Sequence, residues 1–120
     1  MNVSIQGTHL ALTDAIRQLV HDKLTDALRP LGDTDRDPIH AAIELEHRTR
    51  HYDDIAGVRA YRAEATVTGY GMTFRAEGSA DELEPAVVAM KHELNRQVRE
   101  WRGRLRDAQR SGARAAKPRG

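Results

Sequence analysis

The chain has 120 residues, which suits one domain with a single core, and its apolar fraction of 39% beside a charged fraction of 31% is typical of a globular protein. The absence of cysteine excludes disulfides and thiolate metal sites, and no stretch approaches the roughly 20 apolar residues of a membrane span. With no basic and apolar leader at the N-terminus, we expect a cytoplasmic protein that has no membrane contact.

The net charge of +1 conceals an uneven distribution along the chain. Residues 1–95 contain ten Lys/Arg and sixteen Asp/Glu, whereas residues 96–120 contain nine Lys/Arg and two Asp/Glu. A basic end of this kind favours a polyanionic partner, because a lysine or arginine near a phosphate releases a condensed counterion. The alternative is a tail that is basic only for solubility.

The first two elements are a strand and a helix. Alternating polarity predicts the strand over residues 2–8. Thr13 is a good N-cap for the helix, Asp14 lies in its first turn, and apolar residues recur at helical spacing until Pro30 and Gly32 end it.

Three further strands follow. Alternation predicts them over residues 39–46, 61–67 and 72–77, and the turn at residues 69–71 predicts a hairpin between the last two. Residues 47–57 have no clear period, which predicts a mobile loop.

The last element is a long helix that we expect to be capped by Asp81 and to run to about Asp107. Its apolar residues recur in steps of three or four at Leu83, Val87, Met90, Leu94, Val98, Trp101 and Leu105. We expect a folded domain over residues 1–107 and a disordered basic tail over residues 108–120. The order β-α-β-β-β-α predicts an α+β fold, a four-stranded sheet with both helices packed on one face.

The last helix also carries a cluster of arginines. At 100° per residue, an arc of roughly 120° beside the apolar stripe contains Arg96, Arg99, Arg102, Arg106 and, if the helix continues, Arg110. Guanidinium groups aligned in this way suit phosphate oxygens, which arginine can bind through two hydrogen bonds. The alternative is a solvated face, but the nearby acidic residues can offset only part of this charge.

Two basic residues on the first helix are ambiguous. Arg17 is at the edge of the apolar arc and Lys23 falls inside it. Lys23 could extend past the core with its aliphatic stem buried, or it could face a polyanion. The spacing does not decide between these alternatives.

Two segments resemble a known family. Residues 13–24 resemble the first helix of the ribosome hibernation-promoting factor and ribosome-associated inhibitor A family, including the threonine cap and the two basic positions. Residues 96–106 resemble the basic and aromatic end of that family's second helix, and the resemblance covers roughly residues 1–106. Departures are Glu84, Pro85 and Glu93, which stand where the family usually has tyrosine, alanine and a basic residue.

The resemblance implies a fold with the predicted strand order that occupies the messenger and transfer RNA channel of the small ribosomal subunit and silences idle ribosomes. It implies RNA-facing roles, through contacts with ribosomal RNA, for Arg17, Lys23, Arg96, Arg99 and Arg102, and the helical arc adds Arg106. The chain resembles a short form without the family's dimerisation domain, so we expect a monomer away from the ribosome.

Other kinds of site have little support in the sequence. His47 and His51 have ligand-like spacing but no third ligand nearby, and no nucleophile motif or phosphate-binding glycine loop is present. We therefore expect no metal, cofactor, catalysis or small-molecule substrate. Trp101 is expected in the core, whereas Tyr70, at the hairpin tip, is expected to be exposed and could touch RNA. Two alternatives remain open: a double-stranded RNA-binding module that is not specific to ribosomes, and a protein-protein regulator that uses its acidic body.

Overall fold

The computed structural model describes residues 1–32, 38–48 and 59–116, with side chains to residue 110. Its strands and helices are β1 (Asn2–Thr8), α1 (Asp14–Leu28), β2 (His40–His47), β3 (Tyr61–Gly69), β4 (Met72–Ala80) and α2 (Leu83–Ala116). This order confirms the predicted α+β fold. Most of the predicted loop at residues 47–57 lies outside the described residues.

The four strands form one sheet in the order β1-β2-β3-β4. β1 and β2 are parallel, because α1 crosses over between them, and the other neighbouring pairs are antiparallel. Buried and exposed residues alternate along β2, β3 and β4, so one face of the sheet packs on the helices and the other is open. The core between the sheet and the helices includes Leu24, Leu45, Met90 and Leu94, all of them fully buried.

Local signals in the sequence explain where α1 begins and ends. The Thr13 hydroxyl accepts a hydrogen bond of 3.2 Å from the Ile16 amide, as predicted for an N-cap. After Leu28 a single 3₁₀ turn contains Pro30, and Gly32 follows with a φ of 78°, a conformation that glycine adopts readily.

The two helices run parallel to each other. β4 is parallel to β1, and each helix returns antiparallel to the strand before it. Contacts between the helices agree, since Asp26 lies 3.8 Å from Lys91 and the Asn95 side chain donates a 3.1 Å hydrogen bond to the Ala27 carbonyl. The close approach of α2 to the sheet depends on Gly78, where a Cβ atom would lie 2.4 Å from the Met90 nitrogen.

Helix α2 is longer than the sequence predicted. It begins at Leu83, and Asp81, expected as its cap, pairs instead with Arg59 at 3.0 Å. It continues to Ala116, so the expected disorder from residue 108 does not match residues 108–116; residues 117–120 lie outside the described part of the chain. The reason is local: alanine, arginine and glutamine favour helix, and no proline occurs between residue 108 and Pro118.

Candidate nucleic-acid interface

The six basic residues predicted to contact RNA do not form one compact patch. Arg17 is exposed near the start of α1, and Lys23 is half-buried further along it. Because Ala27 lies beside Asn95 and the helices are parallel, Arg17 is about 20 Å from Arg99 along the helix axes, at 1.5 Å per residue. Arg17 and the α2 arginines could therefore contact the same RNA only at separate points.

Arg96 differs from the other predicted arginines because two carboxylates already hold it. Its guanidinium lies 2.6 Å from Glu93 and 2.6 Å from Glu100, one turn away on either side. The hydrogen bond with Arg96, followed by one from Gln97, lowers the pKa of Glu93 to about 2, and the two carboxylates raise the pKa of Arg96. Arg96 is thus the member of the predicted set with the least capacity left for a phosphate.

Three of the predicted arginines and one more form what we call the arginine ridge: Arg99, Arg102, Arg106 and Arg110. All four are exposed, and within the described part of the chain none forms an ion pair. The same helix is anchored by Leu94 and Val98, which are fully buried, so the start of the ridge is held in place by the core. Trp101 is the last α2 residue that packs against the core, and residues 106–110 are all exposed.

A groove between the two helices adds cations that the sequence analysis missed. It has a volume of about 670 Å³, and Arg29, Lys91 and Arg99 line it. Asp26 pairs with Arg29 at 2.9 Å and with Lys91 at 3.8 Å, so one carboxylate lies between two cations. Lys91, Asn95, Arg99 and Arg102 recur in steps of four, four and three, a spacing that could have revealed this flank of α2.

The open face of the sheet has the opposite character. Glu44, Glu64 and Glu77 are register partners on three neighbouring strands and form what we call the acidic row. Arg62 lies 2.6 Å from both Glu64 and Glu77 and offsets part of this charge. A phosphate backbone is repelled by such a row, so the helical side is the side suited to RNA.

The described residues hold no group of three or more side chains suited to a metal ion. His47, one of the two histidines with ligand-like spacing, stacks on Tyr61 with ring centroids 4.5 Å apart; His51 lies outside the described residues. In the same described part, no helix has the length and apolar character needed to cross a membrane.

Residues 3–106 match the family model described as Sigma 54 modulation protein / S30EA ribosomal protein. The chain belongs to this family. The match confirms the family inferred from the sequence. The matched residues 3–106 include all six residues predicted to contact RNA and end before residues 108–120.

Relatives of the S30EA chain include the ribosome hibernation promotion factor of Staphylococcus aureus (strain COL), which is 27% identical over 101 residues. That match covers 84% of this chain but 48% of the relative, so the chain spans about half the relative's length.

Two solved structures have a similar fold. The crystal structure of the Thermus thermophilus Protein Y N-terminal domain is 28% identical, with a TM-score of 0.64, and the match covers 84% of this chain and 99% of that domain. A ribosomal subunit interface protein from Coxiella burnetii is 18% identical, with a TM-score of 0.65 and coverage of 86% and 99%, and shows the fold alone.

Proposed function

We propose that this protein is a ribosome hibernation factor that binds ribosomal RNA on the small subunit, in the channel for messenger and transfer RNA. The observation that carries the proposal is the arginine ridge, set on a helix of an S30EA domain and free of ion pairs among the described residues. The name of the Staphylococcus aureus relative supports the hibernation role.

The proposed mechanism is occlusion. A domain that lies in the channel needs only to exclude messenger and transfer RNA, so it acts without turnover and needs no cofactor. The inter-helix groove, lined by Arg29, Lys91 and Arg99, would receive one stretch of the RNA backbone, and the ridge would follow the next. Arg17 would contact phosphates at the other end of the helical side, and Lys23 would do so between that end and the groove. Arg96 would contribute only after leaving its carboxylates.

Co-sedimentation tests the partner. The protein should pellet with purified small subunits at concentrations at which it leaves naked duplex RNA of equal length unbound. Equal binding to both would favour a general double-stranded RNA-binding module, and binding to neither would favour the acidic protein-protein regulator.

A translation assay tests occlusion. In a purified system, peptide synthesis should fall in proportion to the ratio of protein to ribosomes and reach its minimum near one to one. Inhibition at far smaller ratios would show turnover and would contradict the mechanism.

Light scattering of the free protein should give the mass of one chain, 13.4 kDa.

A further inference from the structure

The tip of the β3–β4 hairpin carries an aromatic ring in an unfavourable backbone conformation. Tyr70 has a φ of 54° and Gly71 a φ of 70°, so both central residues of the turn are left-handed. Asparagine and glycine are the residues that such a turn favours, and a bulky side chain is disfavoured there. The turn therefore retains tyrosine at an energetic cost.

The ring of Tyr70 belongs to what we call the tip cluster: Tyr70, Phe74 and Trp101. The centroids of Tyr70 and Trp101 are 5.9 Å apart with the planes tilted by 47°, and Phe74 meets Trp101 edge-on at 6.0 Å. Phe74 is buried, whereas Tyr70 and Trp101 are each only half-buried. The rings of Tyr70 and Trp101 are thus held in place by their contact with each other and by that of Trp101 with Phe74, and both remain partly accessible to solvent.

Arg104, which is not part of the arginine ridge, lies beside the tip cluster. Arg104 follows Trp101 by three residues, which makes the two neighbours on the helix surface. Arg104 is exposed and has no ion pair with a described residue. Arg104 lies two helical turns after Gln97 and therefore on the same side of α2. That side faces β4, because Gln97 donates a 2.6 Å hydrogen bond to the Arg75 carbonyl.

We propose that the tip cluster and Arg104 bind one unpaired RNA nucleotide, whose base stacks on Trp101 with its edge against Tyr70 and whose phosphate contacts Arg104. Every base offers a π-face, so this site tolerates any sequence but requires an unstacked base. The inference rests on the proposed function for the presence of RNA, and it adds a second contact on the opposite flank of α2 from the ridge.

Trp101 is the only tryptophan in the chain and reports directly on the site. The full chain is titrated with an oligouridine and with an abasic oligoribonucleotide of the same length and charge, while anisotropy measures binding and Trp101 emission measures stacking. Oligouridine should quench Trp101, and the abasic oligomer should bind without quenching. Equal quenching by both oligomers, or bound oligouridine without quenching, would overturn the proposal.

Two variants remove the site without endangering the fold. Tyr70→Asn creates an Asn-Gly turn, which this backbone favours, so circular dichroism should stay unchanged while quenching is lost and oligouridine binds roughly tenfold more weakly, the order expected for one stacked base. Arg104→Gln should also reduce the quenching amplitude. The matched control Arg106→Gln removes the same charge from the ridge and should weaken binding with the amplitude unchanged. Quenching that survives Tyr70→Asn at full amplitude would contradict the site.

Ribosome co-sedimentation separates this inference from the proposed function. A protein that sediments with small subunits but shows no base-dependent quenching would overturn the inference alone. Quenching without sedimentation would overturn the ribosomal function and leave a nucleotide site.

Discussion

Replacing Arg99 and Arg102 together with alanine should weaken ribosome binding much more than replacing Arg96. Arg99 and Arg102 are exposed and form no ion pair among the described residues, so binding a phosphate costs them no existing contact. Arg96 must first leave Glu93 and Glu100, each at 2.6 Å. Comparing Arg96→Ala with the single variant Arg99→Ala measures how much its two ion pairs reduce the contribution of Arg96 to ribosome binding.

The magnitude follows from counting phosphate contacts. Each contact contributes roughly 0.7 to 0.9 to the slope of log affinity against log salt, so the double variant should flatten that slope by roughly 1.4 to 1.8. A hydrogen bond to a charged group contributes about 1.5 kcal/mol at the lower end, which corresponds to roughly a 100-fold loss of affinity for the two arginines. For Arg96→Ala we expect less than half the slope change of Arg99→Ala.

The assay is co-sedimentation with small subunits over a series of salt concentrations, with circular dichroism to verify the fold of each variant. The slope is the better measurement, because Arg96→Ala also releases two carboxylates whose repulsion lowers affinity without removing a phosphate contact. If Arg96→Ala flattens the slope as much as Arg99→Ala, the ion pairs of Arg96 break on the ribosome and the arginine ridge is wrongly defined.

Deleting residues 108–120 removes four positive charges but should weaken sedimentation less than Arg99→Ala with Arg102→Ala, because this segment lies beyond the anchored part of α2; a larger loss would make it the main anchor. Gly78→Ala should lower the free energy of unfolding by about 3 kcal/mol in urea, since its Cβ would lie 2.4 Å from the Met90 nitrogen, and an unchanged midpoint would refute the close approach. Folding lowers the pKa of Glu93 from 4.5 to about 2, so its stabilising effect is complete above about pH 4.5 and is lost as the pH falls toward 2. Thermal melting of Glu93→Gln should therefore differ from that of the parent at neutral pH and converge with it near pH 2, and a constant difference would contradict this.

The elements that the sequence predicted well depend on local chemistry. The cap at Thr13, the end of α1 just before Pro30 and the hairpin at residues 69–71 each follow from a few adjacent residues. The end of α2 was placed too early because the prediction followed the apolar stripe, which stops at Leu105, whereas intrinsic helix propensity continues to Ala116.

The site was harder to predict because it depends on tertiary geometry. The groove lined by Arg29 and Lys91 exists only because two helices distant in sequence run parallel with a particular offset, which no local pattern encodes. The ion pairs of Arg96 with Glu93 and Glu100 have the usual spacing of helical ion pairs. The spacing alone does not show which of the possible ion pairs form.

The acidic row and the arginine ridge lie on opposite sides of the sheet-helix layer, so their charges give the domain an electric dipole moment that runs between its sheet face and its helix face. A polyanion exerts a torque on such a dipole before contact and turns the ridge toward itself. Productive encounters should then outnumber those expected from random collision, and the advantage should fade as added salt shortens the Debye length below the dimensions of the domain.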